Sequence, residues 1–175
     1  MYYFHNLCIL IKKGGFIANI IYLKLNGKKQ GLISRACSSI DSIGNKYQNK
    51  HIDEILIYEL STSLYRDQNT SFQPIDIKKP IDKSSPLLAQ SLTANEKLSC
   101  EFNFYRTALN GGLELYYRIK LSNAEIVHLT CYYPNSSTHN EYQPQESVSF
   151  RYESITWEHV IAGTSAYSIW EDRIN

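Results

Sequence analysis

Residues 98–121, LSCEFNFYRTALNGGLELYYRIKL, contain two runs in which apolar and polar residues alternate. Side chains two positions apart lie on the same side of a β-strand, so each run can bury one face. The apolar positions of the first run are Leu98, Cys100, Phe102 and Phe104. Asn110-Gly111-Gly112 separates the runs with residues that favour tight turns. The stretch therefore predicts a β-hairpin with one buried face.

Similar alternation on both sides of this hairpin predicts further strands. They cover about residues 20–25, 28–33, 54–65, 72–77, 127–133, 148–157 and 166–170. We expect turns at Asn26-Gly27, at Ser122-Asn123-Ala124 and at Ala162-Gly163-Thr164. A helix cap at Ser85, followed by Pro86, predicts one short α-helix at about residues 86–94. Many short antiparallel strands predict a mainly β, single-domain sandwich or barrel of two sheets.

Residues 37–53, CSSIDSIGNKYQNKHID, show little periodicity and many polar side chains. This segment predicts a long loop between the first hairpin and the next strand. Long loops in compact domains are usually functional or disordered, so this one is a candidate binding element.

The composition argues against several classes of partner. The 175 residues carry a formal net charge of +1, which gives no reason to expect a nucleic acid or a membrane surface. Four cysteines, at positions 8, 37, 100 and 131, are widely spaced and form no C-x-x-C pair. They predict reduced thiols rather than a zinc site or a dense disulfide framework.

Catalytic motifs are incomplete. Residues 156–172, TWEHVIAGTSAYSIWED, resemble a nucleophile elbow at Gly163 and Ser165, but Tyr167 occupies the place of the second glycine. His128 and Cys131 should point to opposite faces of one strand, so they cannot share a metal without a bulge. A distant Cys–His nucleophile pair stays open. We predict no catalytic, cofactor-binding or metal-binding residues, and no enzyme.

The first 17 residues do not fit the strand pattern. Their apolar run is too short to span a bilayer, and Lys12 and Lys13 follow it, whereas a signal peptide has its charges before the apolar run. Lys-Lys-Gly-Gly codons can contain a purine-rich ribosome-binding sequence. We therefore expect residues 1–17 to be a translated leader or a non-native extension, with the working domain at 18–175.

Five segments in order resemble the haemolysin-coregulated protein (Hcp) family, in its enterobacterial form. They are ANIIYLKLNGKKQGLIS (18–34), IDSIGNKYQNKHIDEI (40–55), KPIDKSSPLL (79–88), YYPNSSTHN (132–140) and SFRYESITWEHVIAGTSAYSIWED (149–172). Family members usually start with Met immediately before the Ala that matches Ala18, which agrees with the leader hypothesis.

The resemblance implies a structural subunit of the type VI secretion system inner tube. Such a subunit is a β-barrel with one helix alongside, and six copies close into a ring with a wide pore. Rings stack inside a contractile sheath, below a spike protein called VgrG, and small effectors ride in the pore. The protein would be made in the bacterial cytoplasm and secreted on sheath contraction, without a signal peptide, stable membrane insertion or cofactor.

By the same resemblance, the 37–53 loop reaches a neighbouring ring. The residues expected to do so are Ile43, Asn45, Lys46, Tyr47, Gln48, Asn49 and His51. Three alternatives stay open: an enzyme such as a toxin effector, a monomeric β-barrel binding module, and an adaptor for one cargo that forms no tube. Ring formation discriminates between a tube subunit and a monomeric module.

Overall fold

The computed structural model describes residues 19–138 and 143–170. The strands are β1 (Ile20–Gly27), β2 (Gly31–Leu32), β3 (Ile55–Ile57), β4 (Glu59–Ser61), β5 (Leu64–Arg66), β6 (Thr70–Phe72), β7 (Ile75–Pro80), β8 (Leu98–Thr107), β9 (Leu113–Tyr132), β10 (Gln145–Arg151), β11 (Ser154–His159) and β12 (Thr164–Ile169). The helices are α1 (Ile40–Ile43) and α2 (Ser85–Thr93). The mainly β prediction is confirmed. The proposed 1–17 leader lies outside the described residues.

Two antiparallel sheets share one long strand. In the first sheet, β1 pairs with β2, β3 and β8, and the order continues through β9 and β11 to β12. In the second sheet, β9, β10, β7 and β4 lie side by side. β5 and β6 form a separate two-stranded hairpin. The 20-residue β9 therefore joins the two sheets, with its first half in one and its second half in the other.

The core lies between these sheets and contains the predicted apolar face of β8. Leu98, Cys100 and Phe102 are fully buried, and Phe104 packs against them. α2 adds Leu88 and the half-buried Leu92, so the predicted helical stripe is confirmed. The predicted cap is wrong: Ser85 is the first helical residue, and its hydroxyl bonds to Glu146 and to the backbone of Asp82.

Two predicted turns are wrong. Ser122-Asn123-Ala124 does not reverse the chain, because β9 continues through it with only a bend at Asn123, where φ is +48°. The first hairpin reverses at residues 28–30, after Gly27, and its return strand has only two residues instead of six. The turns at residues 108–112 and 160–163 lie where the sequence predicts them.

Three predicted strands are divided. The segment 54–65 contains β3, β4 and the start of β5. The segment 72–77 spans the end of β6 and the first half of β7, and the segment 148–157 contains parts of β10 and β11. The last division has a structural reason. β10 belongs to the second sheet and β11 to the first, so the chain must cross between sheets at Tyr152 and Glu153.

A bulge changes which residues of β9 enter the core. Ser149 pairs with His128 and Phe150 with Ile126, so Val127 has no residue opposite it. Such an extra residue shifts the alternation by one position. Ile126 is consequently buried, whereas Val127, which the sequence places on the apolar face, is exposed.

A buried ionic cluster connects the second sheet to the start of α2. The Lys79 ammonium group lies 2.9 Å from a carboxylate oxygen of Asp82 and 2.9 Å from one of Glu146. It also donates to the carbonyl of Pro80 and the hydroxyl of Ser85. A buried charge needs such partners, because its desolvation costs several kcal/mol.

Candidate functional site

The predicted loop at 37–53 has local structure of its own. It contains the four-residue helix α1 and two 3₁₀ turns, Gly44–Lys46 and Asn49–His51. Gly44 ends α1 with φ at +60°, a conformation that favours glycine. The structure therefore has a second, very short helix that the sequence pattern does not predict.

Hydrogen bonds hold the two ends of the loop together. The backbone N–H of Ser38 donates to the carbonyl of Ile52 at 3.1 Å, and its hydroxyl donates to the carbonyl of Glu54 at 2.6 Å. The Asp53 carboxylate accepts from the backbone N–H of Ala36 at 2.9 Å. A long surface loop with adjoining ends is an Ω-loop, a type that is frequently functional.

Two side chains in the predicted set attach the loop to its own subunit. The Lys46 ammonium group contacts the Tyr58 hydroxyl and the Gln143 side-chain oxygen, and it lies 4.9 Å from the centre of the Tyr58 ring. His51 is buried and stacks on Tyr22, with the ring centres 4.0 Å apart. These two residues are anchors, which the polar composition of the segment does not reveal.

The other predicted residues are more accessible. Asn45, Tyr47 and Asn49 are exposed, and Ile43 and Gln48 are half-buried. The structure brings Gln48, Asn49 and His51 together around a cavity of about 420 Å³, which Tyr105 and Leu113 also line. The loop therefore shares this cavity with one residue of β8 and one of β9.

Exposed apolar side chains occur both within the 37–53 loop and on several other elements. In the described residues they include Ile40, Ile52, Tyr58, Leu64, Tyr65, Leu109, Leu113, Tyr132, Tyr133, Ile161 and Tyr167. Of the three aromatic residues near the carboxyl terminus, Trp157 and Trp170 pack against the core, whereas Tyr167 is 63% exposed. Alternation alone could not separate core aromatics from surface aromatics.

Cys37 and Cys100 are buried, whereas Cys131 is exposed. Burial, with a contribution from Asp82, raises the pKa of Cys37 to about 12, and burial also raises the pKa of Cys100. Both thiols are therefore protonated and unreactive near neutral pH. Among residues 19–138 and 143–170, no three His, Cys, Asp or Glu side chains are grouped to hold a metal.

The His128 side chain lies 2.7 Å from the Thr130 hydroxyl.

No helix of the described part of the chain is long and apolar enough to cross a membrane.

Comparison with known proteins gives consistent matches. Residues 22–159 match the family described as "Type VI secretion system effector, Hcp". A relative from Pseudomonas aeruginosa, named "Major exported protein", is 34% identical over 170 residues, covering 90% of this chain and 99% of the relative. YhhZ of Escherichia coli is 36% identical over 153 residues, which cover 85% of this chain but only 37% of YhhZ.

Solved structures show the same fold. A crystal structure of an Hcp protein has a TM-score of 0.83 at 33% identity. The match covers 89% of this chain and 100% of the solved chain. The secreted protein Hcp3 from Pseudomonas aeruginosa has a TM-score of 0.80 at 35% identity, with the same coverage. Because the family match and these relatives agree, the chain belongs to the Hcp family of type VI secretion system proteins.

Proposed function

We propose that this protein is a structural subunit of the inner tube of a type VI secretion system, in which six copies close into a ring and rings stack. Membership of the Hcp family carries the proposal. The same proposal includes an adjoining VgrG spike, a contractile sheath and small effectors carried in the pore. It also includes synthesis in the bacterial cytoplasm and secretion when the sheath contracts.

The distribution of exposed apolar side chains supports self-association. A subunit that closes a cyclic ring uses two different patches against its two neighbours, and stacking adds contacts at both ends. Exposed apolar residues occur on the loop, on the β8–β9 turn and on the β11–β12 hairpin, represented by Tyr47, Leu109 and Tyr167. Aromatic residues are enriched in protein interfaces, where they bury a large area.

We assign the 37–53 loop to contacts between rings. The hydrogen bonds between its ends and the anchoring contacts of Lys46 and His51 give the exposed face a defined position. A preorganised loop loses less conformational entropy on binding than a disordered one. The proposed contact face consists of Asn45, Tyr47, Gln48 and Asn49, together with the half-buried Ile43.

Deletion of residues 43–50 tests this assignment. We expect rings to form but stacked tubes to become shorter, as measured by negative-stain electron microscopy. Lys46→Met is a useful companion, because it removes one anchor and keeps the exposed face. Unchanged tube length in the deletion variant would contradict the assignment.

We also propose that the protein has a structural and not an enzymatic role. The thiols of Cys37 and Cys100 are buried and protonated, which leaves them poor nucleophiles.

A further inference from the structure

His51 ends the second 3₁₀ turn of the loop, yet its ring lies inside an aromatic cluster. It stacks on Tyr22 with an angle of 7° between the rings, and it meets the edge of Tyr105 with ring centres 4.9 Å apart. Its side chain is only 8% exposed. The loop is thus attached to β1 and β8 through a titratable ring.

An acidic partner lies on the other side of this ring. Nδ1 of His51 is 2.5 Å from a carboxylate oxygen of Glu54, whose side chain is 17% exposed. The second carboxylate oxygen of Glu54 lies 3.5 Å from the side-chain nitrogen of Asn103. Burial and then the Glu54 charge raise the pKa of Tyr22 to about 12, so Tyr22 stays neutral beside them.

Protonation of His51 changes both contacts in the same direction. A charged imidazole forms an ion pair as well as a hydrogen bond with an ionised carboxylate. It also places a positive charge over the face of an aromatic ring, which is favourable. A neutral imidazole can still donate a hydrogen bond from Nδ1 to the carboxylate, but it brings no positive charge to either contact.

We propose that His51 and Glu54 form a proton-dependent latch that holds the 37–53 loop against the first sheet. The latch holds the loop most tightly when His51 is charged and Glu54 is ionised. It weakens when His51 loses its proton or when Glu54 gains one, because either change removes the ion pair.

The other charged groups around the latch are already engaged or exposed. Arg118, on β9, lies 3.1 Å from Glu158 and 3.7 Å from Glu101, and it donates to Asn103. Burial raises the pKa of Tyr105, so this residue is neutral as well. On the loop itself, Lys50 is exposed. Glu54 is therefore the carboxylate that responds to the charge on His51.

Hydrogen–deuterium exchange of loop peptides tests the latch directly. Exchange is measured at pH 5.5 and pH 8.0 on the full chain and is normalised to intrinsic rates and to a β10 peptide. We expect the open loop to be about fivefold more populated at pH 8.0, the order expected when an ion pair is reduced to a hydrogen bond. His51→Gln and Glu54→Gln should each abolish this difference.

His128→Gln is the matched control, because the His128 side chain is exposed and lies 2.7 Å from the Thr130 hydroxyl, away from the loop. It should retain the full pH response. A parent protein without a pH response, or a His51→Gln variant that keeps it, would overturn the latch. Any effect of pH on ring stacking rests on the proposed function, whereas the exchange measurement does not, so the two can fail separately.

Discussion

Lys79 and Glu146 form a buried ion pair, 2.9 Å apart, between the end of β7 and the start of β10. Asp82 completes the cluster from the segment that leads into α2. One ammonium group thus joins two strands and a helix. Its removal would leave two carboxylates in the interior without their cation.

Lys79→Met should destabilise the protein by about 3–5 kcal/mol, because breaking a buried pair leaves uncompensated charge. Urea unfolding at neutral pH measures the loss. The adjacent Lys78 provides a control, since its pair with Glu59 is largely exposed and Lys78→Met should cost no more than about 1 kcal/mol. Equal losses in the two variants would show that the cluster does not stabilise the fold.

Gly27→Ala should destabilise the first hairpin. A Cβ at this position would lie 2.5 Å from the Glu96 carboxylate, which is buried and accepts hydrogen bonds from the backbone of Lys29 and Gln30 and from the Gln30 side chain. Glu96 cannot move without losing these bonds, so we expect a cost of about 1–3 kcal/mol by thermal or urea unfolding.

Gly112→Ala is the matched control for this prediction. Its Cβ would make only an ordinary contact at 3.5 Å, and its φ is not positive. A Gly27 variant as stable as the Gly112 variant would contradict the steric account.

Glu125 should contribute to the loss of folding stability at low pH. Hydrogen bonds from Lys97 and Arg151 hold the pKa of Glu125 below its usual value, and they outweigh the opposing effect of burial. A carboxyl group whose pKa is depressed by folding stabilises the protein above its unfolded pKa, near 4.3, and this contribution is lost as pH falls.

Glu125→Gln should therefore be less stable than the parent at pH 7, and its stability should fall less steeply between about pH 5 and pH 3. Urea unfolding across this range checks both effects. Lys97 and Arg151 are about half exposed, which keeps the expected effect small. A parallel pH profile in the variant would contradict the assignment.

The alternation of residues 98–121 is a local pattern, and the hairpin that it predicts is present. The bulge at Val127 and the bend at Asn123 depend on pairing with β10 and on the change of sheet, neither of which a local pattern contains. For this reason the sequence predicts a turn where β9 continues.

The 37–53 loop also has features that its own sequence predicts and features that depend on tertiary contacts. Its polar composition predicts a long loop, and the structure exposes three of the seven predicted residues, Asn45, Tyr47 and Asn49. The anchoring contacts of Lys46 reach Tyr58 and Gln143, and His51 reaches Tyr22, all through tertiary structure. No periodicity within residues 37–53 could have separated these anchors from the exposed residues.

Native mass spectrometry of the protein comprising residues 18–175, with negative-stain images of the same sample, tests the tube proposal most directly. We expect a six-subunit ring that persists on dilution. A monomer at every concentration would contradict it and would favour a monomeric β-barrel binding module.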